Sequence, residues 1–239
     1  RNMASLDQLK ERIKKEASDT PEKFFATDVL QEKDFHRSRC TNCGVYFWSH
    51  NPEREVCGEP DCGEGYTFIN DSPTDKQYSY VEAWQKFRSF MEDRGYVSID
   101  RYPVVARWRD DTEFTQASIY NFQPHVVSGE AEPPAEELVV PQPSLRFNDI
   151  DNVGVTGRHY TNFTMIGQLA FKTEDYDQDR YFRDMFDFAV EILGIPKKKL
   201  ILHEDAWGGG GNLGACMEFF VDGLELWNQV YMFYETTKD

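Results

Sequence analysis

Four cysteines crowded into a short segment constrain this chain more than any other feature of its sequence. They form two pairs, Cys40-Thr-Asn-Cys43 and Cys57-Gly-Glu-Pro-Asp-Cys62, and a glycine follows each pair. Such spacings let both sulfurs of a pair face one tetrahedral ion, and the glycines are expected to permit tight turns. Because so small a segment cannot bury its own core, the pattern predicts a structural Zn²⁺ bound by Cys40, Cys43, Cys57 and Cys62 that contributes folding energy.

Other uses of the cysteine cluster fit its pattern less well. The spacing within the pairs disfavours an iron–sulfur cluster, and four thiolates would leave a catalytic zinc no open coordination position. A disulfide framework is disfavoured because the clustering is typical of metal binding in a cytosolic chain. The fifth cysteine, Cys216, lies in a strand-like context and is interpreted as a small buried residue.

The composition indicates a folded protein and limits its partners. Hydrophobic residues make up 40% of the 239 residues and aromatic residues 15%, which is enough for a packed core. The formal net charge of −16 argues against a surface that binds nucleic acid non-specifically, although a local basic patch remains compatible with RNA contact. No apolar run approaches the roughly 20 residues needed to span a bilayer, so we expect no membrane contact and a cytoplasmic location.

Periodicity predicts helices and strands in an order typical of an α+β domain. Helices are predicted at residues 5–17, where Ser5 and Gln8 form a capping box, and at 80–94 and 179–193. Strands are predicted at residues 97–99, 103–108, 138–147, 160–171 and 200–203, and at 216–221 and 224–234, which Asp222-Gly223 joins as a hairpin. The predicted fold class is therefore α+β, with a mainly antiparallel sheet flanked by helices and a small zinc-binding insert.

One predicted hairpin carries residues suited to a nucleotide. Arg146 ends the first strand, a polar loop follows, and Arg158 with His159 begins the return strand shortly before Phe163. The guanidinium fork suits an α-phosphate or the carboxylate of a mixed anhydride, and an aromatic ring can stack on a purine. From the residues alone this is a weak signal, and an ordinary structural hairpin with surface arginines is the favoured interpretation.

Several segments together make the chain resemble the N-terminal region of archaeal-type alanyl-tRNA synthetases, a class II family. The residues from Arg146 to Met165 are similar to the motif 2 region of that family. Residues 40–68 resemble its zinc insert, and further similarities are found at residues 102–111, 117–119, 207–214 and 224–228. The resemblance covers residues 36–235 in the family's order, and it implies the class II antiparallel sheet with flanking helices.

The resemblance also implies roles for individual residues, together with ATP, L-alanine and tRNA(Ala) as partners and Mg²⁺ bound with the ATP. Arg146 would contact the α-phosphate and the alanine carboxylate, Arg158 and His159 the ATP phosphates, and Phe163 the adenine ring. Arg146 and Arg158 are the expected catalytic residues. The remaining amino-acid-binding residues would be Met165 and Trp207, which wall a pocket small enough for a methyl side chain, and Asn228 beside the bound alanine.

Two departures from the family pattern shape the expected organisation. Thr164 stands where many relatives have Glu, and the sequence ends before any motif 3 segment. We expect a helical arm at residues 1–35, the zinc module at 36–70 and a class II core lacking motif 3 at 71–239. The chain is expected to be an inactive piece of an enzyme that dimerises through a missing C-terminal region. A split subunit or a truncated paralogue that acts as a binding module is the alternative.

Overall fold

The computed structural model describes residues 4–171 and 174–236. These residues form two compact units, one built from the described parts of residues 1–76 and 177–239 and the other from residues 77–176. Both units combine helices with mainly antiparallel sheet, which agrees with the expected α+β class. Within the described residues no helix is both long and apolar enough to cross a membrane.

The first unit begins with two helices and a hairpin. Helix α1 (Leu6–Asp19) is capped as predicted, because Ser5 Oγ accepts from Gln8 N at 3.2 Å while Ser5 N donates to Gln8 Oε1 at 2.9 Å. A 3₁₀ turn at Pro21–Lys23 leads to helix α2 (Thr27–Glu32). Strands β1 (His36–Arg39) and β2 (Tyr46–Ser49) then pair in antiparallel fashion, with the first cysteine pair at their connection.

Three long antiparallel strands complete the sheet of the first unit. They are β6 (Leu200–Gly209), β7 (Asn212–Val221) and β8 (Leu224–Val230), and the sheet order is β1-β2-β6-β7-β8, with β9 (Tyr234–Glu235) also paired to β7. Helix α4 (Gln178–Asp187) packs on this sheet through Phe182, whose ring centroid lies 5.5 Å from that of Phe219. A π-helical turn at Phe188–Ile192 follows α4, and Gly194 ends the segment with a φ of +71°.

Glycines form the turns of the β6–β7 and β7–β8 hairpins. The predicted Asp222-Gly223 turn between β7 and β8 is confirmed, with φ values of +50° and +83°. The last two of the four glycines after Trp207 supply the tight turn between β6 and β7. Gly210 and Gly211 occupy that turn with φ values of +59° and +91°, a conformation that favours glycine over other residues.

The second unit contains a three-stranded sheet and one long helix. Helix α3 (Tyr80–Glu92) has a capping box between Ser79 and Glu82, and strand β3 (Val97–Ser98) runs parallel to β4 (Glu137–Leu145). Strand β5 (Asn162–Ala170) pairs with β4 in an unbroken antiparallel register. The predicted strand at residues 103–108 is wrong: among the described residues this segment makes one isolated bridge, Val105 to Phe114, because it turns back on itself rather than joining a sheet.

Candidate substrate-binding hairpin and metal centre

The β4–β5 hairpin places several of the predicted site residues on one face. Ser144 pairs with Phe163 and Gln142 pairs with Met165, so these four side chains share a face of the two strands. Arg146 follows two residues after Ser144 and reaches the same face, since its guanidinium carbon lies 5.0 Å from the centroid of the Phe163 ring. The structure therefore brings together Arg146, Phe163 and Met165.

A backbone contact aims the Arg146 guanidinium. Its Nε donates to the carbonyl of Gln116 at 3.0 Å, and its backbone N donates to the carbonyl of Thr161 at 3.0 Å. Over the described residues, neither terminal nitrogen of this exposed guanidinium has a protein acceptor. The side chain is thus fixed by one nitrogen and by the ring beneath it, while the two other nitrogens face outward. This arrangement can bind a planar anion through two parallel hydrogen bonds.

The loop between Arg146 and Phe163 also holds Arg158 and His159. His159 Nδ1 hydrogen-bonds with the Thr156 hydroxyl at 2.6 Å, and the Arg158 backbone N donates to the same hydroxyl at 3.4 Å. Both side chains are half-buried at the base of the loop. Gly154 and Gly157 turn the chain with φ values of +78° and +71°. The structure places Arg158 and His159 near the start of the return strand, as the sequence predicted.

Thr164 is separated from the shared face by the alternation of the strand. It lies between Phe163 and Met165, so its side chain points to the opposite side of β5. There its hydroxyl hydrogen-bonds with the hydroxyl of Tyr80, on α3. The Thr164 side chain therefore contacts a helix and does not contribute to the face with Arg146 and Met165.

A buried amide supports Met165 from the neighbouring strand. Gln142, the cross-strand partner of Met165, is fully buried and accepts from Tyr102 N and from Asn121 Nδ2, each at 2.9 Å. Its own amide nitrogen donates to the Tyr102 carbonyl at 3.0 Å. These hydrogen bonds satisfy a polar group that burial would otherwise destabilise, and they hold β4 rigid beneath the half-buried Met165.

Trp207 and Asn228 lie on the sheet of the first unit and are not brought together. Trp207 on β6 pairs with Gly214, whereas Asn228 on β8 pairs with Glu218, so the two share a face but stand at different levels and on strands separated by β7. The Trp207 ring folds over Gly209, where an added Cβ would lie 2.9 Å from the ring. Asn228 is exposed.

The four cysteines converge as their spacing predicted. All four sulfurs lie within 4.8 Å of one another, and Cys43 Sγ is 3.7 Å from Cys57 Sγ. Four sulfurs at about 2.3 Å from a tetrahedral zinc would be separated by about 3.8 Å, so the arrangement fits this ion. Cys40 and Cys57 are buried, which also suits a closed structural site.

Local hydrogen bonds favour thiolate formation at one cysteine. Burial opposes ionisation of Cys40, yet the backbone N–H groups of Cys43, Cys57 and Asn42 outweigh it and lower the Cys40 pKa to about 6. Burial raises the pKa of Cys57 above its usual range and that of Cys62 to about 11. Two thiols that resist ionisation, Cys57 and Cys62, thus lie beside one that favours it, and a divalent cation would stabilise the thiolate form of such a group.

Sequence reasoning missed a polar cluster on the same face of the sheet as Trp207 and Asn228. Asp205, Cys216 and Glu218 place ligand atoms within 4.8 Å of one another, and so do Glu59, His203 and Glu218. Lys14 Nζ pairs with Asp205 at 2.8 Å. The cluster could have been predicted from the alternation of His203, Asp205 and Trp207 along β6. The strand was instead predicted to end at residue 203, because polar residues follow.

Comparison with known proteins places these features in a family. A profile described as "tRNA synthetases class II (A)" matches residues 82–237. Proteins named "Alanine--tRNA ligase" are similar over most of this chain: that of Methanocella arvoryzae is 46% identical across 97% of the chain, and that of Methanopyrus kandleri 49% identical across 88%. These matches cover 27% and 24% of the two relatives, so the chain spans about a quarter of their length.

Proposed function

Because this chain belongs to the class II (A) tRNA synthetases, we propose that it serves the ATP-dependent activation of alanine and the transfer of alanine to tRNA(Ala). In the first step the alanine carboxylate attacks the α-phosphate of ATP, which forms alanyl-adenylate and releases pyrophosphate. The name shared by relatives from several archaea supports alanine as the substrate. The whole reaction is proposed for the enzyme of which such a chain forms the N-terminal quarter.

The observation that carries this proposal is the position of Arg146 over Phe163. The guanidinium carbon of Arg146 lies 5.0 Å from the centroid of the Phe163 ring. A nucleotide stacked on Phe163 would therefore present its α-phosphate to the outward-facing nitrogens of Arg146. The same fork would hold the alanine carboxylate in line with the phosphorus. Arg158 and His159 would neutralise the outer phosphates. Catalysis of this displacement depends on positioning and charge stabilisation, which rigid arginines supply.

Three further residues are proposed to bind the amino acid. Met165 and Trp207 would restrict the space around the side chain to a methyl group, and Asn228 would hydrogen-bond with the bound alanine. A hydrophobic pocket separates substrates that differ by one methylene by only about 1–3 kcal/mol, so larger amino acids must be excluded by steric contact. The buried hydrogen bonds of Gln142 beneath Met165 support such a rigid wall.

The proposed cofactors are a structural Zn²⁺ and a Mg²⁺ that enters with ATP. Cys40, Cys43, Cys57 and Cys62 would hold the zinc, which would stabilise residues 36–70 between the helical arm at 1–35 and the class II core at 71–239. The Mg²⁺ would offset negative charge on the ATP phosphates beside Arg158. We place this activity in the cytoplasm, where tRNA(Ala) is available.

Alanine-dependent exchange of pyrophosphate into ATP tests the proposal. The chain should be assayed alone and with a polypeptide that carries the part of the Methanocella arvoryzae relative beyond the matched region. We expect exchange with the added polypeptide, and its loss in Arg146→Ala. Arg88→Ala, which changes an exposed arginine on α3, is the matched control and should retain exchange. Absence of exchange with and without the added polypeptide would contradict the proposed function.

A further inference from the structure

A histidine of the central sheet contacts the backbone of the cysteine module. Gly58, the residue that follows Cys57, donates its backbone N–H to Nε2 of His203 at 2.8 Å. His203 lies on β6 and is 1% exposed. The hydrogen bond therefore joins the second cysteine pair to the sheet in a place that water does not reach.

The surroundings of this hydrogen bond leave it little freedom. The His203 ring stacks on Phe220 of β7 with a centroid distance of 4.2 Å and an interplanar angle of 17°. A Cβ added to Gly58 would lie 2.7 Å from Cβ of Phe220 and 3.2 Å from His203 Nε2. The backbone after Cys57 therefore approaches the sheet as closely as only glycine allows, and the imidazole lies at the point of approach.

The direction of the hydrogen bond assigns the tautomer of His203. Because Nε2 accepts, the ring proton resides on Nδ1, which lies 3.7 Å from Glu218 Oε2. Burial lowers the pKa of His203 to about 4, so the ring stays neutral and keeps its acceptor at neutral pH. A metal bound at Nδ1 would require the proton on Nε2, where it would meet the Gly58 N–H. Metal binding by Glu59, His203 and Glu218 through Nδ1 would therefore compete with the hydrogen bond from Gly58.

We propose that His203 is a positioning residue of the four-cysteine metal site: it accepts the Gly58 N–H and thereby holds Cys57 and Cys62 in place for the ion. The inference rests on the proposed zinc. Polar groups that orient metal ligands from outside the coordination sphere commonly change metal affinity by about 10- to 100-fold. The other ring nitrogen faces Glu218, which lies on β7 opposite Asn228 of β8.

Two substitutions distinguish the roles of the two ring nitrogens of His203. His203→Gln places an amide oxygen near the position of Nε2 and retains an acceptor for Gly58. His203→Asn places its shorter amide near Nδ1 and leaves the Gly58 N–H without a partner. In the full chain, zinc affinity measured by competition with a chromophoric chelator should fall by about 10- to 100-fold in His203→Asn and stay within about threefold of wild type in His203→Gln.

A second measurement keeps the proposal testable if a variant fails to fold. In the wild-type chain, long-range ¹H–¹⁵N NMR should show His203 protonated at Nδ1, and the Gly58 amide should be protected from hydrogen exchange. A proton on Nε2, a rapidly exchanging Gly58 amide, or a folded His203→Asn variant that binds zinc as tightly as wild type would each overturn the proposal. A wild-type chain that binds no zinc would overturn the metal assignment as well.

Discussion

The guanidinium carbon of Arg146 and the ring centroid of Phe163 lie 5.0 Å apart, within the range of a cation–π interaction. Two residues separated by a loop of the chain are thus in contact. The contact follows from the antiparallel register, which places Phe163 opposite Ser144, two residues before Arg146. A nucleotide would therefore meet an aromatic surface and an anion-binding fork that are already arranged.

Removal of the Phe163 ring should weaken ATP binding without unfolding the hairpin. Aromatic stacking contributes about 0.5–1.5 kcal/mol, so Phe163→Leu should raise the dissociation constant for ATP by up to about tenfold. Phe163→Tyr keeps the ring and should bind as wild type does. Equilibrium dialysis with labelled ATP, with the C-terminal polypeptide of the exchange assay present, measures both constants. Equal affinities in the leucine and tyrosine variants would contradict a stacking role.

Loss of one predicted zinc ligand should remove the metal and destabilise the module. Cys40→Ser is expected to lower the zinc content from about one ion per chain to none and to lower the melting temperature, because metal binding supplies folding energy to such modules. Cys216→Ser changes a buried cysteine outside the four-sulfur group and should retain the zinc. Elemental analysis after dialysis decides the matter, and a folded, metal-free wild type would refute the assignment.

Signals from neighbouring residues predicted much of the fold. The elements that were not predicted depend on contacts between residues far apart in the chain. The capping boxes at Ser5 and Ser79 and the Asp222-Gly223 turn depend on neighbouring residues, so the sequence suffices to predict them. Strand β6 extends six residues beyond its predicted end at 203, since Glu204 is buried by hydrogen bonds from Arg37 and Trp48. Those partners lie more than 150 positions away in the chain.

The candidate sites also contain some features that local sequence spacing predicts and others that depend on distant residues. Spacing within the chain predicted the convergence of the four cysteines. The roles of Phe163 and Met165 came instead from the family resemblance, and the register of β4 and β5 places both on one face. Nothing in the spacing pointed to His203, because its partner Gly58 lies 145 positions earlier and contributes only a backbone N–H. Contacts of side chains with distant backbone leave no pattern in the residue types of a single sequence.

The buried ion pair between Arg37 and Glu204 should be important for the stability of the fold. Glu204 has no exposed side-chain area and accepts from Arg37 Nε at 2.6 Å and Nη2 at 2.7 Å. Arg37→Met would leave a buried carboxylate with Trp48 as its remaining donor among the described residues, and we expect the free energy of unfolding to fall by about 3–5 kcal/mol. Arg88→Met, which removes an exposed i,i+4 pair with Glu92, should cost less than about 0.5 kcal/mol. Similar losses in urea denaturation would contradict the ranking.

Glu218 should make stability fall as the pH rises. Burial, together with the charge of Asp205, raises its pKa from 4.5 to about 8. Between these values the folded chain holds a proton that the unfolded chain has lost, so stability decreases with pH by at most about 1.4 kcal/mol per unit and levels off above pH 8. Glu218→Gln removes this contribution. In urea denaturation at pH 5, 6.5 and 8, the free energy of unfolding of the variant should therefore increase relative to that of wild type at each higher pH. A difference that does not change with pH would contradict the prediction.

A methyl group after Cys57 should separate the cysteine module from the sheet. At Gly58 an added Cβ would lie 2.7 Å from Phe220 Cβ, whereas at Gly63 the nearest contact would be the Glu59 carbonyl at 3.7 Å. Neither glycine has a positive φ, so the two substitutions differ in steric crowding rather than in backbone strain. Overpacking of this kind typically costs about 1–3 kcal/mol, so we expect Gly58→Ala to lower the free energy of unfolding by that amount and to speed zinc loss to a chelator. Gly63→Ala should match wild type in both measurements. Equal behaviour of the two variants would show that the close approach at Gly58 does not hold the module on the sheet.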